Sequence, residues 1–178
     1  TKLEYRIKDI SVLSDPSDLS LSQVSVTDLV DGAAEQVRTV RKREKTSIQV
    51  DIPNGLPPVK VDRESMLRAL AHVIDNAVKF SGGKPVCIRA ERTESRIRIK
   101  VTDQGSGIPD KVRSNLFHPF EVGDSRSTRQ HDGLGIGLAL VKMIVDAHQA
   151  EIEISPQGDK GTTVVISLPS SGTPEQPK

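Results

Sequence analysis

Three polar side chains fall on one side of a predicted helix in the middle of the chain. Between Asp62 and Phe80 the apolar residues recur with the spacing of an amphipathic helix, and Asp62 is placed to cap its first turn. On this helix His72, Asn76 and Lys79 lie within about 60° of one another. An amide oxygen one turn from an ammonium group suits a magnesium-bound polyphosphate, because Mg²⁺ takes oxygen ligands and keeps several from water and phosphate. A solvated helix face is the alternative that this helix alone leaves open.

A carboxylate ends an apolar row on a predicted strand. Strand alternation turns one set of residues to the same inward face, and this set is Ile97, Ile99, Val101 and Asp103. A buried carboxylate without a partner is costly, so Asp103 requires a hydrogen-bond donor. In the following DQGSGIPD segment, Gly105 and Gly107 permit a positive φ or the close approach of a flat ligand. A strand-end aspartate that caps the next turn is the alternative for this motif.

A second cluster of glycines precedes the most apolar segment of the chain. In GLGIGLALVKMIV, Gly133, Gly135 and Gly137 stand at the predicted N-terminus of a helix. The unpaired N–H groups and the positive dipole end of such a terminus favour bound phosphate. A glycine hinge without a ligand is the alternative for this segment taken alone.

Several well-known enzyme motifs are missing from the sequence. The glycine clusters do not form G-x-G-x-x-G after a strand, and GGKP at Gly82 lacks the hydroxyl residue of a P-loop. The four histidines form neither H-E-x-x-H nor a zinc-ligand spacing, and no G-x-S-x-G segment occurs. These absences argue against a dinucleotide enzyme, a P-loop enzyme, a zinc hydrolase and a serine hydrolase.

The hydrophobic pattern predicts the helices and strands that position these residues. Helices are predicted over 27–40, with Thr27 as the N-cap, over 62–80, over 109–116 and from the second glycine cluster to His148. Strands are predicted at 48–52, 59–61, 86–90 and 97–103, followed by a hairpin of 152–154 with 164–168. Helices and strands are segregated in pairs, so we expect an α/β fold, a two-layer sandwich with a mixed sheet.

Composition limits the partners of the chain. Its 178 residues carry 25 basic and 24 acidic side chains, so no broad field recruits nucleic acid or an anionic membrane. The single cysteine, Cys87, cannot form an internal disulfide, and we expect a reducing, cytoplasmic compartment. No segment approaches the ~20 apolar residues of a membrane span. Because the chain begins at Thr1 without a methionine, we expect a fragment of a longer protein, with or without a membrane anchor.

Taken in order, the motifs resemble those of a known family. HVIDNAVKF, DQGSGIPD, LFHPF, a polar loop over 121–132, GLGIGLAL and GTTVVISLP follow one another as in the catalytic domain of two-component sensor histidine kinases, members of the GHKL ATPase superfamily. The resemblance covers roughly residues 62–169. It implies the Bergerat fold, with the helices on one face of the mixed sheet. It also implies ATP and Mg²⁺ as cofactors.

The resemblance assigns a role to each motif. Asn76 becomes the Mg²⁺ ligand and Lys79 a phosphate contact, while Asp103 accepts a hydrogen bond from the adenine amino group. The other residues expected to bind the nucleotide are Phe80, Gly105, Gly107, Ile108, Phe117, Phe120, Arg126, Arg129, Gly133, Leu134, Gly135, Gly137, Leu138 and Thr162. We expect 121–132 to form a lid that is ordered by nucleotide phosphates through Arg126 and Arg129.

One substitution and one absence set the chain apart from the family pattern. His72 stands one turn before the metal-binding asparagine, where a second asparagine is most common, and its catalytic role stays open between orienting water and hydrogen bonding. The family's phosphoacceptor motif, a histidine followed by an acidic residue and soon by a proline, does not occur. The apolar stripe from Leu3 to Leu13 resembles the last turns of the dimerising helical hairpin that carries that histidine.

These features predict a protein-histidine kinase domain that transfers the γ-phosphoryl group of ATP to a histidine on a helical hairpin outside this chain. Its expected partners are that hairpin and a cognate response regulator, with no nucleic acid and no membrane contact. We expect 1–18 to be a remnant of the hairpin and linker, 19–169 the catalytic domain and 170–178 a disordered tail. Gyrase-, chaperone- and mismatch-repair-type ATPases carry a glutamate where His72 stands, which disfavours them. A non-catalytic nucleotide-sensing module and an anti-sigma serine kinase remain as alternatives.

Overall fold

The computed structural model describes residues 19–42, 44, 46–109, 116–117, 137–156 and 160–170. Three helices and seven strands lie within these ranges. In chain order they are β1 (Leu21–Val24), α1 (Val26–Val40), β2 (Ile48–Asp51), β3 (Val59–Asp62), α2 (Arg63–Phe80), β4 (Val86–Arg92), β5 (Arg96–Asp103), α3 (Gly137–Ala147), β6 (Glu151–Pro156) and β7 (Thr162–Pro169).

The main sheet has five strands in the order β2-β4-β5-β7-β6. Strand β2 pairs parallel to β4, and the other neighbours are antiparallel, so the sheet is mixed. Strands β1 and β3 form a separate antiparallel pair, and a bridge between Val59 and Ser170 connects this pair to the end of β7. The predicted hairpin near the C-terminus is the β6–β7 pair.

Within the described residues, the three helices pack on one face of the main sheet. Alternate residues of the central strands turn towards the helices and are buried, namely Val86, Ile88, Ala90, Ile97, Ile99, Val101, Ile166 and Leu168. Helix α1 packs closely on α2, because a Cβ at Gly32 would lie 3.0 Å from Leu67 Cδ1. The predicted α/β fold, with its two layers and mixed sheet, is confirmed.

The N-terminal caps of the first two helices test the sequence analysis directly. Asp62 caps α2 as predicted, since its carboxylate accepts the Ser65 N–H at 2.9 Å. The predicted Thr27 cap is wrong, because Thr27 lies inside α1 and Ser25 accepts the Asp28 N–H at 3.3 Å. Strand β1 ends at Val24, so the chain turns into the helix at the extended Ser25, two residues earlier than the prediction.

The far end of α3 is fastened to the start of α2 by a buried histidine. His148 Nε2 accepts the backbone N–H of Asp62 at 3.0 Å, and Nδ1 lies 2.7 Å from the Ile144 carbonyl oxygen. Burial favours the protonated Asp62 carboxyl, but hydrogen bonds from Ser65 and Ser20 and the nearby His148 outweigh it and lower the pKa of Asp62. Helices α2 and α3 therefore run antiparallel, which brings the N-terminus of α3 towards the C-terminal half of α2.

The sheet face opposite the helices carries ion pairs between its strands, both adjacent strands and strands one apart. Arg96 on β5 pairs with Glu151 on β6 at 2.8 Å, and Lys100 on β5 pairs with Glu91 on β4 at 2.7 Å. Exposed pairs of this kind contribute at most about 1 kcal/mol each. They give this face much of its charge, although Val165 of β7 is also buried there.

Some predicted features are untested or were missed. The predicted helix over 109–116 lies largely outside the described residues, and so do residues 1–18 and 171–178 of the predicted domain organisation. Strand β1 was not predicted, because only Val24 of its four residues is buried. No helix in the described part of the chain is long and apolar enough to cross a bilayer.

Candidate functional site

The three polar residues predicted on α2 form one partly exposed stripe. His72, Asn76 and Lys79 are half-buried, while their neighbours Ala77 and Val78 are buried against the sheet and the other helices. The wheel geometry of the sequence prediction therefore holds in the folded chain. The Asn76 amide and the Lys79 ammonium lie about one turn apart at the C-terminal half of the helix.

An aromatic ring ends this stripe. Phe80 is 48% exposed, which is unusual for a large apolar residue, and the Lys79 Nζ lies 5.0 Å from its ring centroid. That distance is within the range of a cation–π interaction. The contact holds the ammonium group over the ring at the C-terminal end of α2.

Asp103 is the buried carboxylate that the strand alternation predicts. It is 6% exposed, and Oδ1 accepts the Gly105 N–H at 2.8 Å. Burial raises the pKa of Asp103, although hydrogen bonds from the Gly105 and Thr162 backbone N–H groups partly offset this. A carboxylate oxygen accepts more than one hydrogen bond, so Asp103 retains capacity for a donor from a ligand.

Two glycines allow the loop at the end of β5 to lie directly against the backbone of neighbouring elements. A Cβ at Gly105 would lie 2.0 Å from the carbonyl oxygen of Phe80, and a Cβ at Gly161 would lie 2.3 Å from the carbonyl oxygen of Asp103. Neither approach leaves room for a side chain. Gly105 therefore joins the Asp103 loop to the end of α2, and Gly161 joins the same loop to the start of β7.

Other residues that the sequence predicts to bind the nucleotide lie close to Asp103 in the fold. Thr162 is 8% exposed and stands opposite Asp103 in the β5–β7 register. Gly107 has a φ of +78°, and a Cβ there would lie 3.4 Å from the Gly161 carbonyl oxygen. Ile108 and Phe117 are partly buried. Asp103, Thr162 and the Gly107 backbone thus meet at one end of the sheet.

The start of α3 lies beside the polar stripe of α2. Gly137 is the first residue of α3, and a Cβ built on it would lie 3.5 Å from His72 Nδ1. Leu138 is partly buried in the same turn. Because N–H groups at a helix N-terminus favour anions, a phosphate held there would be within reach of the α2 stripe.

Six predicted site residues lie outside the described part of the chain, and their roles stay predictions. They are Phe120, Arg126, Arg129, Gly133, Leu134 and Gly135.

The described residues fit a magnesium ion carried by a nucleotide rather than one held by the protein alone. No group of three or more His, Cys, Asp or Glu side chains within the described ranges could hold a metal ion. Asn76 offers a neutral amide oxygen near the N-terminus of α3, where phosphate oxygens can supply further ligands. Mg²⁺ keeps several ligands from water and phosphate, so one protein oxygen is sufficient.

Two contacts at this end of α2 were missed by sequence reasoning. Arg41 at the end of α1 forms a two-pronged ion pair with Asp75, and Thr46 Oγ1 lies 3.3 Å from Ser81 Oγ. The partners are 34 and 35 residues apart in the chain, so no local spacing indicates them. A single sequence carries no signal that matches one particular arginine to one particular aspartate.

A cavity of about 300 Å³ lies between the end of α1 and β2. It is lined by Val37, Arg38, Arg41, Lys42, Glu44, Thr46, Ile48 and Val78. Val78 lies about 200° around α2 from Asn76. The cavity therefore contacts the side of α2 that is turned away from the predicted nucleotide residues, and it is a separate feature.

Comparison with known proteins identifies the family. Residues 61–172 match the family described as histidine kinase-, DNA gyrase B- and HSP90-like ATPase. The chain belongs to this family. The match includes every described residue of the candidate site, and it confirms the resemblance to the ATPase domains of sensor histidine kinases.

Curated relatives agree with this assignment. The adaptive-response sensory kinase SasA of Synechococcus sp. (strain JA-3-3Ab) is 31% identical over 174 residues, which are 94% of this chain and 46% of that protein. The sensor-like histidine kinase SenX3 of Mycolicibacterium smegmatis is 31% identical over 156 residues, or 87% of this chain and 40% of that protein. The chain spans less than half the length of these relatives.

Solved structures share the fold. The mycobacterial sensor histidine kinase MprB is 29% identical, with a TM-score of 0.71 over 84% of this chain and 97% of that one. Full-length ShkA in complex with AMPPNP is 21% identical, with a TM-score of 0.77 over 96% of this chain and 36% of that one. The second likeness shows the fold alone.

Proposed function

We propose that this chain is the ATP-binding catalytic domain of a sensor histidine kinase, which transfers the γ-phosphoryl group of ATP to a histidine on a separate helical hairpin. The observation that carries the proposal is the buried Asp103 carboxylate, which ends an apolar row and is oriented by the Gly105 and Thr162 N–H groups. A carboxylate in this position accepts a hydrogen bond from the adenine amino group. The exposed Phe80 ring beside the same loop offers an apolar surface at the adenine end of the site.

The phosphate end of the site is supplied by the α2 stripe and the start of α3. Lys79 is assigned to the phosphates, for which its flexible side chain would move the ammonium group away from the Phe80 ring, and the Gly137 end of α3 supplies backbone N–H groups. When bound through Asn76, Mg²⁺ neutralises phosphate charge. Arg126 and Arg129 of the predicted lid add two further cations. The protein's part in phosphoryl transfer is mostly such positioning and charge neutralisation.

The acceptor chemistry explains why the site needs no general base. An imidazole nitrogen of the acceptor attacks the γ-phosphorus with its own lone pair, while the bond from that phosphorus to the β,γ-bridging oxygen breaks and ADP leaves. His72 stands where water-activating members of the superfamily have a glutamate, which supports transfer over hydrolysis. Its position beside Gly137 suits a hydrogen bond that supports the phosphate end of the site.

The partners follow from the same chemistry. We assign the acceptor histidine to the hairpin domain of the same kinase and the onward transfer to a cognate response regulator. We place the domain in the cytoplasm, where ATP and a reduced Cys87 are both expected. The limits of the catalytic domain, 19–169, belong to this proposal as well.

The proposal is tested with γ-labelled ATP and three mixtures. The chain alone, the chain with the helical hairpin of its parent protein, and the chain with a hairpin whose histidine is changed are each incubated with label and Mg²⁺. We expect acid-labile label on the intact hairpin only. Transfer should be slow, because separate fragments lose the high effective concentration of a linked acceptor.

Two variants complete the transfer experiment. Asn76→Ala should abolish transfer, because it removes the proposed metal ligand, whereas Arg96→Ala on the far face of the sheet should leave it unchanged. Label on the isolated chain would contradict the assignment of the acceptor to another segment. ATP binding with no label on the intact hairpin would favour the nucleotide-sensing module.

A further inference from the structure

The segment that follows α1 is joined to α2 at two points, and these bracket the nucleotide residues of the proposed site. Arg41 contacts Asp75, the residue directly before Asn76, and Thr46 contacts Ser81, the residue directly after Phe80. Asn76, Lys79 and Phe80 all lie between the two contacts. None of the four contacting residues belongs to the predicted nucleotide-binding set.

The Arg41–Asp75 contact fixes the orientation of the Arg41 guanidinium relative to the Asp75 carboxylate. The Arg41 Nη2 donates to Asp75 Oδ2 at 2.9 Å, Nε donates to Asp75 Oδ1, and Nη1 donates to Glu44 Oε1. The hydrogen bond to Asp75 is the main reason that the pKa of Arg41 is raised, so the guanidinium stays charged. A two-pronged pair of this kind specifies the mutual geometry of its partners as well as their distance.

The Thr46–Ser81 contact holds the end of the same helix. Ser81 is 1% exposed, its hydroxyl donates to the Val78 carbonyl oxygen at 2.9 Å, and its Oγ accepts the Gly83 N–H at 3.3 Å. The contact to Thr46 therefore reaches a residue that is already fixed in the last turn of α2.

These contacts limit rotation of α2 about its own axis. The close approach of Gly32 to Leu67 fixes the N-terminal half of α2 against α1, and Arg41 fixes the C-terminal half. Asp75 and Asn76 are adjacent on the helix, so a rotation that moves one carboxylate moves the Asn76 amide with it. Side chains that hold a metal or phosphate tolerate only small displacements.

We infer that Arg41 is a positioning residue of the nucleotide site, which acts through Asp75 to hold Asn76 at the angle that metal-bound ATP requires. This inference rests on the proposed function, because it assigns Asn76 to the metal. Its effect is specific to nucleotide that carries Mg²⁺. The ion pair is partly buried, so its loss is expected to lower stability as well, and the Mg²⁺ dependence of binding separates the two effects.

The test compares nucleotide affinity with and without metal. ATP is titrated into wild type, Arg41→Ala, Arg41→Lys and the charge-exchanged pair R41D/D75R, first with Mg²⁺ and then with EDTA. We expect Arg41→Ala to weaken Mg²⁺-ATP binding about 3- to 30-fold and to change binding in EDTA much less. Arg41→Lys should keep only part of the Mg²⁺-ATP affinity that Arg41→Ala loses, because an ammonium group cannot form the two parallel hydrogen bonds of a guanidinium. The charge-exchanged pair R41D/D75R should keep more of that affinity.

Arg96→Ala is the matched control. Arg96 forms a more exposed ion pair with Glu151 at 2.8 Å, on the sheet face opposite the helices. We expect Arg96→Ala to remove an ion pair remote from the nucleotide residues and to leave the Mg²⁺ dependence of ATP binding as in wild type. Equal losses with Mg²⁺ and with EDTA in Arg41→Ala would overturn the inference, and so would wild-type affinity in that variant. Failure of wild type to bind Mg²⁺-ATP would instead remove the proposed function itself.

Discussion

At the scale of single residues, burial makes the ionised form of Asp103 unfavourable, and the proposed hydrogen bond to adenine would give that carboxylate a role. Its carboxylate is buried at the end of an apolar row, and this raises its pKa above the ordinary value of 3.8. A folded state that binds a proton more readily than the unfolded state loses stability as pH rises through that range. An uncharged residue would avoid this loss, and under the proposed function the charge is retained for recognition of adenine.

The pH dependence of stability follows from this shift. The cost of ionised Asp103 is absent below its unfolded pKa and complete above its raised folded pKa. The melting temperature of Asp103→Asn relative to wild type should therefore increase as the pH rises above about 4. Asp51→Asn, on the exposed face of β2, serves as the control. A relative melting temperature of Asp103→Asn that falls with pH would contradict the account.

At the scale of elements, the nucleotide end of the fold depends on how closely two backbone segments approach. The loop after β5 touches the last carbonyl of α2 at Gly105, where no side chain fits. The start of α3 lies beside α2, and a Cβ built on Gly137 would lie at an ordinary van der Waals distance of 3.5 Å from His72 Nδ1. The sequence assigns both glycines to the nucleotide site in the same way. The structure leaves no room for a Cβ at Gly105 but leaves room for one at Gly137.

This difference makes a paired prediction. Gly105→Ala should destabilise the chain by about 1–3 kcal/mol or more, because a Cβ 2.0 Å from the Phe80 oxygen forces backbone apart. Gly137→Ala should be neutral or stabilising by up to about 1 kcal/mol, because alanine favours a helix and meets no overlap. Denaturant unfolding measures both, and equal effects of the two substitutions would show that the close approach is not required.

The elements themselves were largely predictable from sequence. Strong periodicity identified α2, and alternation over 97–103 identified both β5 and the inward side of Asp103. Strand β1 was not predicted because it is short and mostly exposed, and its end at Val24 then displaced the predicted cap of α1 from Ser25 to Thr27. A short strand that is defined by its pairing with a distant strand has too few alternating buried residues to be predicted from the local sequence.

At the scale of the whole molecule, the order of the motifs was enough to indicate the family. The contacts between elements could not be predicted from the sequence. The His72, Asn76 and Lys79 stripe and the Asp103 loop are each defined by local spacing. Their connection through Gly105, and the fastening of α2 by Arg41, depend on contacts across the fold. The sequence predicts which residues belong to the candidate site, and the structure shows the contacts that hold the described ones in place.

The most direct test of the central claim is a calorimetric titration of the chain with ATP and with GTP in the presence of Mg²⁺. We expect one ATP per chain and GTP binding about 10- to 100-fold weaker, because guanine presents a carbonyl oxygen where Asp103 needs an amino donor. Asp103→Asn should lose a similar factor in ATP affinity and narrow the difference between the two nucleotides, and Asp51→Asn should behave as wild type. Equal affinity of wild type for ATP and GTP, or full ATP affinity in Asp103→Asn, would contradict the account.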